Sequence, residues 1–354
     1  MAKTHMVLTS EAGTDFWNDS CDLHELADAI ANGAVGATSN PVIVGQVVKG
    51  DIDRWGPRID AIAREFPDDS EVDVTWRLIE EIVAESSKLL LPVFERTAGR
   101  KGRLSVQVNP VNYRNWQAMF EQGMKLSGIA PNLAIKAPCT EAGIRAMEEM
   151  TAHGVSVTAT VGFTVAQALT SAEAIERGLD RAAANGIDVT RMCPSVVIMV
   201  GRVDDHLKKT MARNPVSIDP GYLEWAGVAV LKKLYGIFQE RRYRSRLLAA
   251  AYRNHMQWSQ FVGGDLILTI PYKWWKLFND SDIDVKPAIQ EPVDTKILDG
   301  LYSAFAEFRK AYDADALTPP EFARYGATIQ TLEQFINGYY ELLALVRTRM
   351  LHNL

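Results

Sequence analysis

Along nearly the whole chain, a short apolar or β-branched run ends in polar, Gly or Pro residues and gives way to an amphipathic helical stretch. Parallel neighbouring strands need a long crossover connection, so this alternation argues for a parallel sheet with helices on its outside. The runs fall at 16–19, 34–38, 103–108, 133–136, 156–161, 192–200, 246–252 and 265–270. Eight of them favour a closed (β/α)8 barrel over an open doubly wound sheet. The 354 residues suit a barrel of ~250 residues with roughly a hundred more of added helix.

Between the strands, 140–153 (TEAGIRAMEEMTAH) shows the helical pattern clearly: Thr140 can cap it, Ile144, Met147 and Met150 form one apolar stripe, and Gly154 stops it. Two stretches exceed what a minimal barrel needs, 204–243 and about 294–354, and both read as helical. In the second, Leu301, Phe305 and Phe308, then Leu332, Phe335, Ile336 and Leu342, recur at helical spacing, so the tail is expected to fold back onto the barrel. There is no linker, internal repeat or low-complexity tract, which leaves 1–354 as a single domain.

Partners are narrowed by charge and composition. With 47% hydrophobic and 23% charged residues the chain is an ordinary globular protein, and no run approaches the ~20 apolar residues that span a bilayer. A formal net charge of -6 offers no field for nucleic acid, so any phosphate must be held by local cations. Cys21, Cys139 and Cys193 are too few and too scattered for a disulfide framework or a zinc site, and the first residues lack the apolar stretch of a signal peptide; both point to a reducing cytoplasm. The sequon at Asn18 then reads as chance. Dinucleotide, P-loop, nucleophile-elbow and zincin motifs are missing, and the six histidines show no ligand spacing, so neither a metal nor an organic cofactor is expected.

The most informative segment is NLAIKAPCT at 132–140, which sets Lys136 inside a buried-strand run. Barrel active sites form at the carboxyl ends of the strands, and desolvation disfavours an ammonium, so an amine there can be nucleophilic near neutral pH. An inward lysine paired with a carboxylate, or one snorkelling between helices, fits the segment equally well. Asp19 ends the first strand and can serve as a general base or as a turn residue. Asn40 follows the second strand, where its amide can grip a hydroxyl or simply form an Asn-Pro turn. Thr158 and Thr160 share one face of the fifth strand, and Gln107 lies on the face of the third opposite Val106 and Val108; alternation does not say which face is inward. Arg202 and Arg253 follow the sixth and seventh strands, on the side where barrels often hold phosphate, and each alone could equally be a salt-bridge residue.

Taken together, Asp19, GATSNPV at 36–42, SVQVNP at 105–110, AIKAPCTEAGIRAMEEM at 134–150, VTATVGFTVAQA at 157–168, VGRVDD at 200–205 and AAYRN at 250–254 resemble the transaldolase family in order and spacing. The resemblance implies a (β/α)8 barrel enzyme that moves a dihydroxyacetone unit between sugar phosphates through a Schiff base on Lys136, with a lyase of the same mechanism as the rival. It further implies that Asp19 exchanges the proton of the substrate's C4 hydroxyl, that Thr160 and Gln107 serve the catalytic water, and that Asn40 binds the dihydroxyacetone end. Arg202 and Arg253 would hold the phosphate. Four positions depart from the family pattern. Gln107 stands where most members have glutamate, Thr158 where asparagine binds the donor, Val197 where serine does, and Met199 where phenylalanine or tyrosine is usual, with Ser195 as a substitute only if the loop is shifted. A homodimer is left open, and a non-catalytic sugar-phosphate-binding barrel is the rival from another class.

Overall fold

A computed structural model describes residues 3–352. Eight strands, β1 (Asp15–Asn18), β2 (Gly36–Thr38), β3 (Arg103–Gln107), β4 (Leu133–Pro138), β5 (Val157–Thr160), β6 (Ser195–Met199), β7 (Arg246–Ala250) and β8 (Ile267–Ile270), form a closed barrel in chain order. Every pairing is parallel, and closure is made by β1 on β8, with Asp15 opposite Ile267 and Asn18 opposite Ile270. The strands are buried on both faces, which explains why they appear in the sequence as short runs of apolar, β-branched and small residues with few charges.

Toward the amino ends the interior is filled by Trp17, and β2 accommodates it with Gly36. A Cβ built there would run into the indole ring, so the barrel closes over Trp17 because this position has no side chain. Higher up, the filling becomes polar. Hydrogen bonds link Ser105 to Thr158 and Thr38 to Thr269, pairs from strands that are not neighbours, so these side chains meet across the interior. They therefore decide the inward face that alternation left open: Ser105 and Gln107 on β3, and Thr158 and Thr160 on β5.

The 140–153 expectation holds closely. The helix runs Glu141–Ala152, Thr140 accepts from the Gly143 amide at 3.1 Å, and Gly154 follows with φ +84. The 204–243 stretch contains the Val200–Arg213 helix, a 3-10 turn and the Ala226–Arg241 helix. The tail is helical through Gly326–His352, and the last two positions of the expected range lie outside the described residues. A third excess, unforeseen in the sequence, lies between β2 and β3, where helices Pro41–Gly50, Ile52–Glu65 and Glu71–Arg96 replace a single crossover.

The Gly326–His352 helix packs against all three. Its buried Leu332, Phe335, Leu342, Leu343 and Val346 supply the adhesion, each worth about 1.5–3 kcal/mol on burial. The exposed Arg347–Glu71 pair adds at most about 1 kcal/mol. Gly338 sets the approach, since a Cβ there would lie 2.6 Å from Val42 Cγ2. The close crossing brings the middle of this helix over the carboxyl ends of the strands.

Candidate active site

A cavity of about 370 Å³ opens at those carboxyl ends, and Asp19, Asn40, Lys136, Thr160, Arg202 and Arg253 all line it. Lys136 projects inward from β4 with only 6% of its surface exposed, and its Nζ donates to the Ser39 carbonyl at 3.1 Å. Burial pulls its pKa below the ordinary lysine value; the nearby Asp19 carboxylate opposes that shift and the Arg202 cation adds to it. The amine is thus driven toward its uncharged, nucleophilic form.

Asp19 stands just past β1. Thr38 Oγ1 donates to Asp19 Oδ1 at 2.6 Å, and Thr269 Oγ1 lies 2.6 Å from the same Thr38 oxygen. A hydroxyl has one proton, so when Thr38 donates to the carboxylate, Thr269 donates to Thr38, and the chain of hydroxyls fixes the carboxylate from behind. Burial raises the Asp19 pKa above its ordinary value, against the pull of Lys136 and Thr38. A carboxyl so shifted is closer to the working pH of a general acid–base group.

Asn40 caps a helix and also stands on the cavity wall. Its Oδ1 caps the Pro41–Gly50 helix, accepting from Val42 and Ile43 amides at 2.9 and 3.1 Å, while the residue lines the cavity. Arg202 reaches the mouth from the first turn after β6. It donates to Thr331 Oγ1 at 3.1 Å, lies 5.6 Å from the Phe335 ring centroid, and keeps its buried Nε without a partner among the described residues. Arg253 is exposed and bridged to Asp205 at 2.7 Å, so it also carries the salt bridge that the sequence left as its alternative.

Other expected residues sit elsewhere. Thr158, expected to contact substrate, does not line the cavity: its hydroxyl is held between Ser105 at 2.9 Å and Ser195 at 3.1 Å, deep in the interior. Ser195 cannot replace the missing serine at position 197 for the same reason. Gln107 faces inward in register with Lys136, buried, off the cavity wall, with Oε1 lacking a partner among the described residues. Val197 and Met199 do line the cavity, joined by Leu248 and Ala250, so its β6–β7 wall is apolar.

The sequence reading missed the contribution of the Gly326–His352 helix, which places Gln334 and Phe335 on the cavity wall. Phe335 was legible only as part of an apolar stripe. It also missed Thr38 and Thr269, whose role depends on a contact between distant strands.

One further side chain holds the site's frame. Val161 follows Thr160 with φ +57, a left-handed conformation that costs a β-branched residue about 1–3 kcal/mol. Gln167, fully buried on the Val165–Ala184 helix, clamps this turn. Its Oε1 accepts from the Phe163 and Thr164 amides at 3.1 and 3.2 Å, and its Nε2 shares two protons among Cys139 O at 3.2 Å, Val161 O at 3.4 Å and Thr328 Oγ1 at 3.2 Å. It therefore ties the β4 and β5 ends to the Gly326–His352 helix. Gln167→Leu is expected to cut kcat at least about tenfold with loss of stability, whereas Thr164→Ala, which removes only a helix cap, costs about 1 kcal/mol and leaves kcat unchanged. Steady-state rates set beside melting curves separate a positioning role from a merely structural one.

Comparison with known proteins follows the same outline. Residues 16–318 match the family model described as transaldolase/fructose-6-phosphate aldolase. The chain belongs to that family. Among similar proteins, a transaldolase of Thiobacillus denitrificans is 27% identical over 95% of this chain and 97% of its own length. A transaldolase of Mycobacterium ulcerans is 29% identical over 67% of this chain and 65% of its own. A transaldolase of Kocuria rhizophila is 28% identical over 65% and 64%.

Proposed function

We propose that the chain transfers a dihydroxyacetone unit from a ketose phosphate to an aldose phosphate through an imine on Lys136. The observation that carries the reading is a buried amine of lowered pKa sharing one cavity with Asp19, while two arginines stand at the rim.

Lys136 attacks the ketone, and loss of water leaves an imine whose protonated form is an electron sink. Asp19 takes the C4 hydroxyl proton, the C3–C4 bond breaks, and its electron pair flows into the enamine as the aldehyde leaves. The enamine then adds to the acceptor aldehyde, Asp19 returns the proton, and water releases the product. Thr160, with Gln107 behind it, serves that water. The Asn40 amide nitrogen, whose oxygen is committed to the helix cap, holds the ketol end. Arg202 and Arg253 repel one another until a phosphate dianion lies between them, which supports their assignment to the sugar phosphate.

Neither a metal nor an organic cofactor enters this chemistry, because the imine supplies the sink. Three buried free cysteines agree with a cytoplasmic setting, and among the described residues no helix is long and apolar enough to cross a membrane.

Incubation with fructose 6-phosphate, with and without an aldose phosphate acceptor, tests the reading. Product formation that depends on the acceptor is expected; acceptor-independent release of dihydroxyacetone would make the chain a lyase of the same mechanism. No borohydride-trapped adduct at all would make it a binding barrel. Arg253→Ala is expected to raise KM for phosphorylated donors about tenfold and to leave KM for unphosphorylated ones unchanged. Equal effects on both would remove the phosphate assignment.

A further inference from the structure

The amino ends of the strands, opposite the Lys136 mouth, enclose a second cavity of about 550 Å³, a volume typical of small-molecule sites at about 300–1,000 Å³. Arg96, Arg100, Lys101, Arg244 and Arg246 line it, against the carboxylates Asp15 and Asp265. Pairing accounts for three of these cations. Lys101 meets Asp15 at 2.6 Å, Arg246 meets Asp15 at 2.7 Å and Asp265 at 2.8 Å, and Arg244 meets Glu176 at 2.6 Å.

Arg96 and Arg100 have no carboxylate partner among the described residues, although both face this cavity. Behind the wall lies Arg103, only 5% exposed, whose donors go to the carbonyls of Gly99 at 3.1 Å, Leu133 at 3.3 Å and Arg191 at 2.5 Å. Carbonyl oxygens satisfy its hydrogen bonds, and it has no carboxylate partner among the described residues. Two guanidiniums without carboxylate partners thus line one concave site, with a third buried behind its wall, in a chain of net charge -6. Such an excess in a recessed, partly apolar space attracts a dianion. The remaining wall, with Met192, Tyr235 and Phe238, suits a flat or apolar group attached to that dianion.

We infer that this amino-end cavity binds a small phosphate monoester bearing a ring, a nucleoside monophosphate in chemical class, separately from the sugar-phosphate site. The inference is independent of the imine reading, since no residue of the Lys136 cavity takes part.

Isothermal titration of the full chain with adenosine 5′-monophosphate, and separately with inorganic phosphate, tests it. The nucleotide is expected to bind saturably to the wild type and equally to Arg202→Ala, and at least about tenfold more weakly to the double variant Arg96→Glu, Arg100→Glu. Both substituted side chains are exposed and free of ion pairs, so the double variant should keep the wild-type melting temperature, which is measured alongside. Unchanged affinity in the double variant, absence of saturable binding in the wild type, or loss of binding in Arg202→Ala instead would each overturn the site. Equal affinity for nucleotide and inorganic phosphate would overturn the nucleoside assignment.

Discussion

Lys136→Ala is expected to abolish turnover and borohydride trapping while the melting temperature stays level or rises. The first half follows from the chemistry, because without the amine there is no imine and no electron sink. The second follows from the environment of the side chain, whose one hydrogen bond among the described residues, to Ser39 O, is 3.1 Å long and whose charge is disfavoured by burial. With its pKa lowered in the fold, Lys136 releases a proton that the unfolded chain would keep. Folding is therefore opposed below the ordinary lysine pKa, increasingly as pH falls toward the folded value. Alanine removes that opposition, so its benefit is larger at mildly acid than at alkaline pH. Melting curves across pH check the trend; a large fall in melting temperature would mean that the lysine is structural. The same shift predicts that kcat/KM of the wild type rises with pH as the free enzyme loses the Lys136 proton, at a pH below the ordinary lysine range.

Asp19→Asn is expected to lower cleavage and transfer by about 10²–10⁴. Asparagine keeps the shape of the side chain and can still accept from Thr38, so the loss is of proton transfer rather than packing. Dihydroxyacetone has no C4 hydroxyl to deprotonate, and its trapping on Lys136 by borohydride should survive in this variant. Intact mass after trapping separates the steps. Parallel loss of trapping and turnover would assign Asp19 to imine formation or to the ionisation of Lys136. Because burial raises the Asp19 pKa, the acid limb of kcat in the wild type should lie above the ordinary aspartate range.

Much of the barrel was written in the sequence because strands covered on both faces read as short runs of apolar, β-branched and small residues, and eight such runs with stops leave few alternatives. Lys136 was visible as the cation that breaks such a run. What stayed hidden depends on which residues meet across space. Thr158 looked available for substrate until its hydroxyl was found between Ser105 and Ser195, on strands whose interior register alternation cannot supply. Phe335 and Gln334 were part of a helix that reads as packing, since nothing local says that this helix crosses the mouth. The Pro41–Gly50, Ile52–Glu65 and Glu71–Arg96 helices were unplaced because a crossover sets a minimum length and no maximum.

The roof formed by the Gly326–His352 helix also bears on when the molecule becomes competent. Synthesis proceeds from the amino end, so all eight strands leave the ribosome before this helix does. The strand that carries Lys136 is thus available for pairing while Phe335 is still unmade. Until then Arg202 lacks Thr331 as its anchor and the enamine would face bulk solvent. Competence for transfer is therefore expected only once this helix has docked, and removing it is expected to shift the enamine from transfer toward hydrolysis.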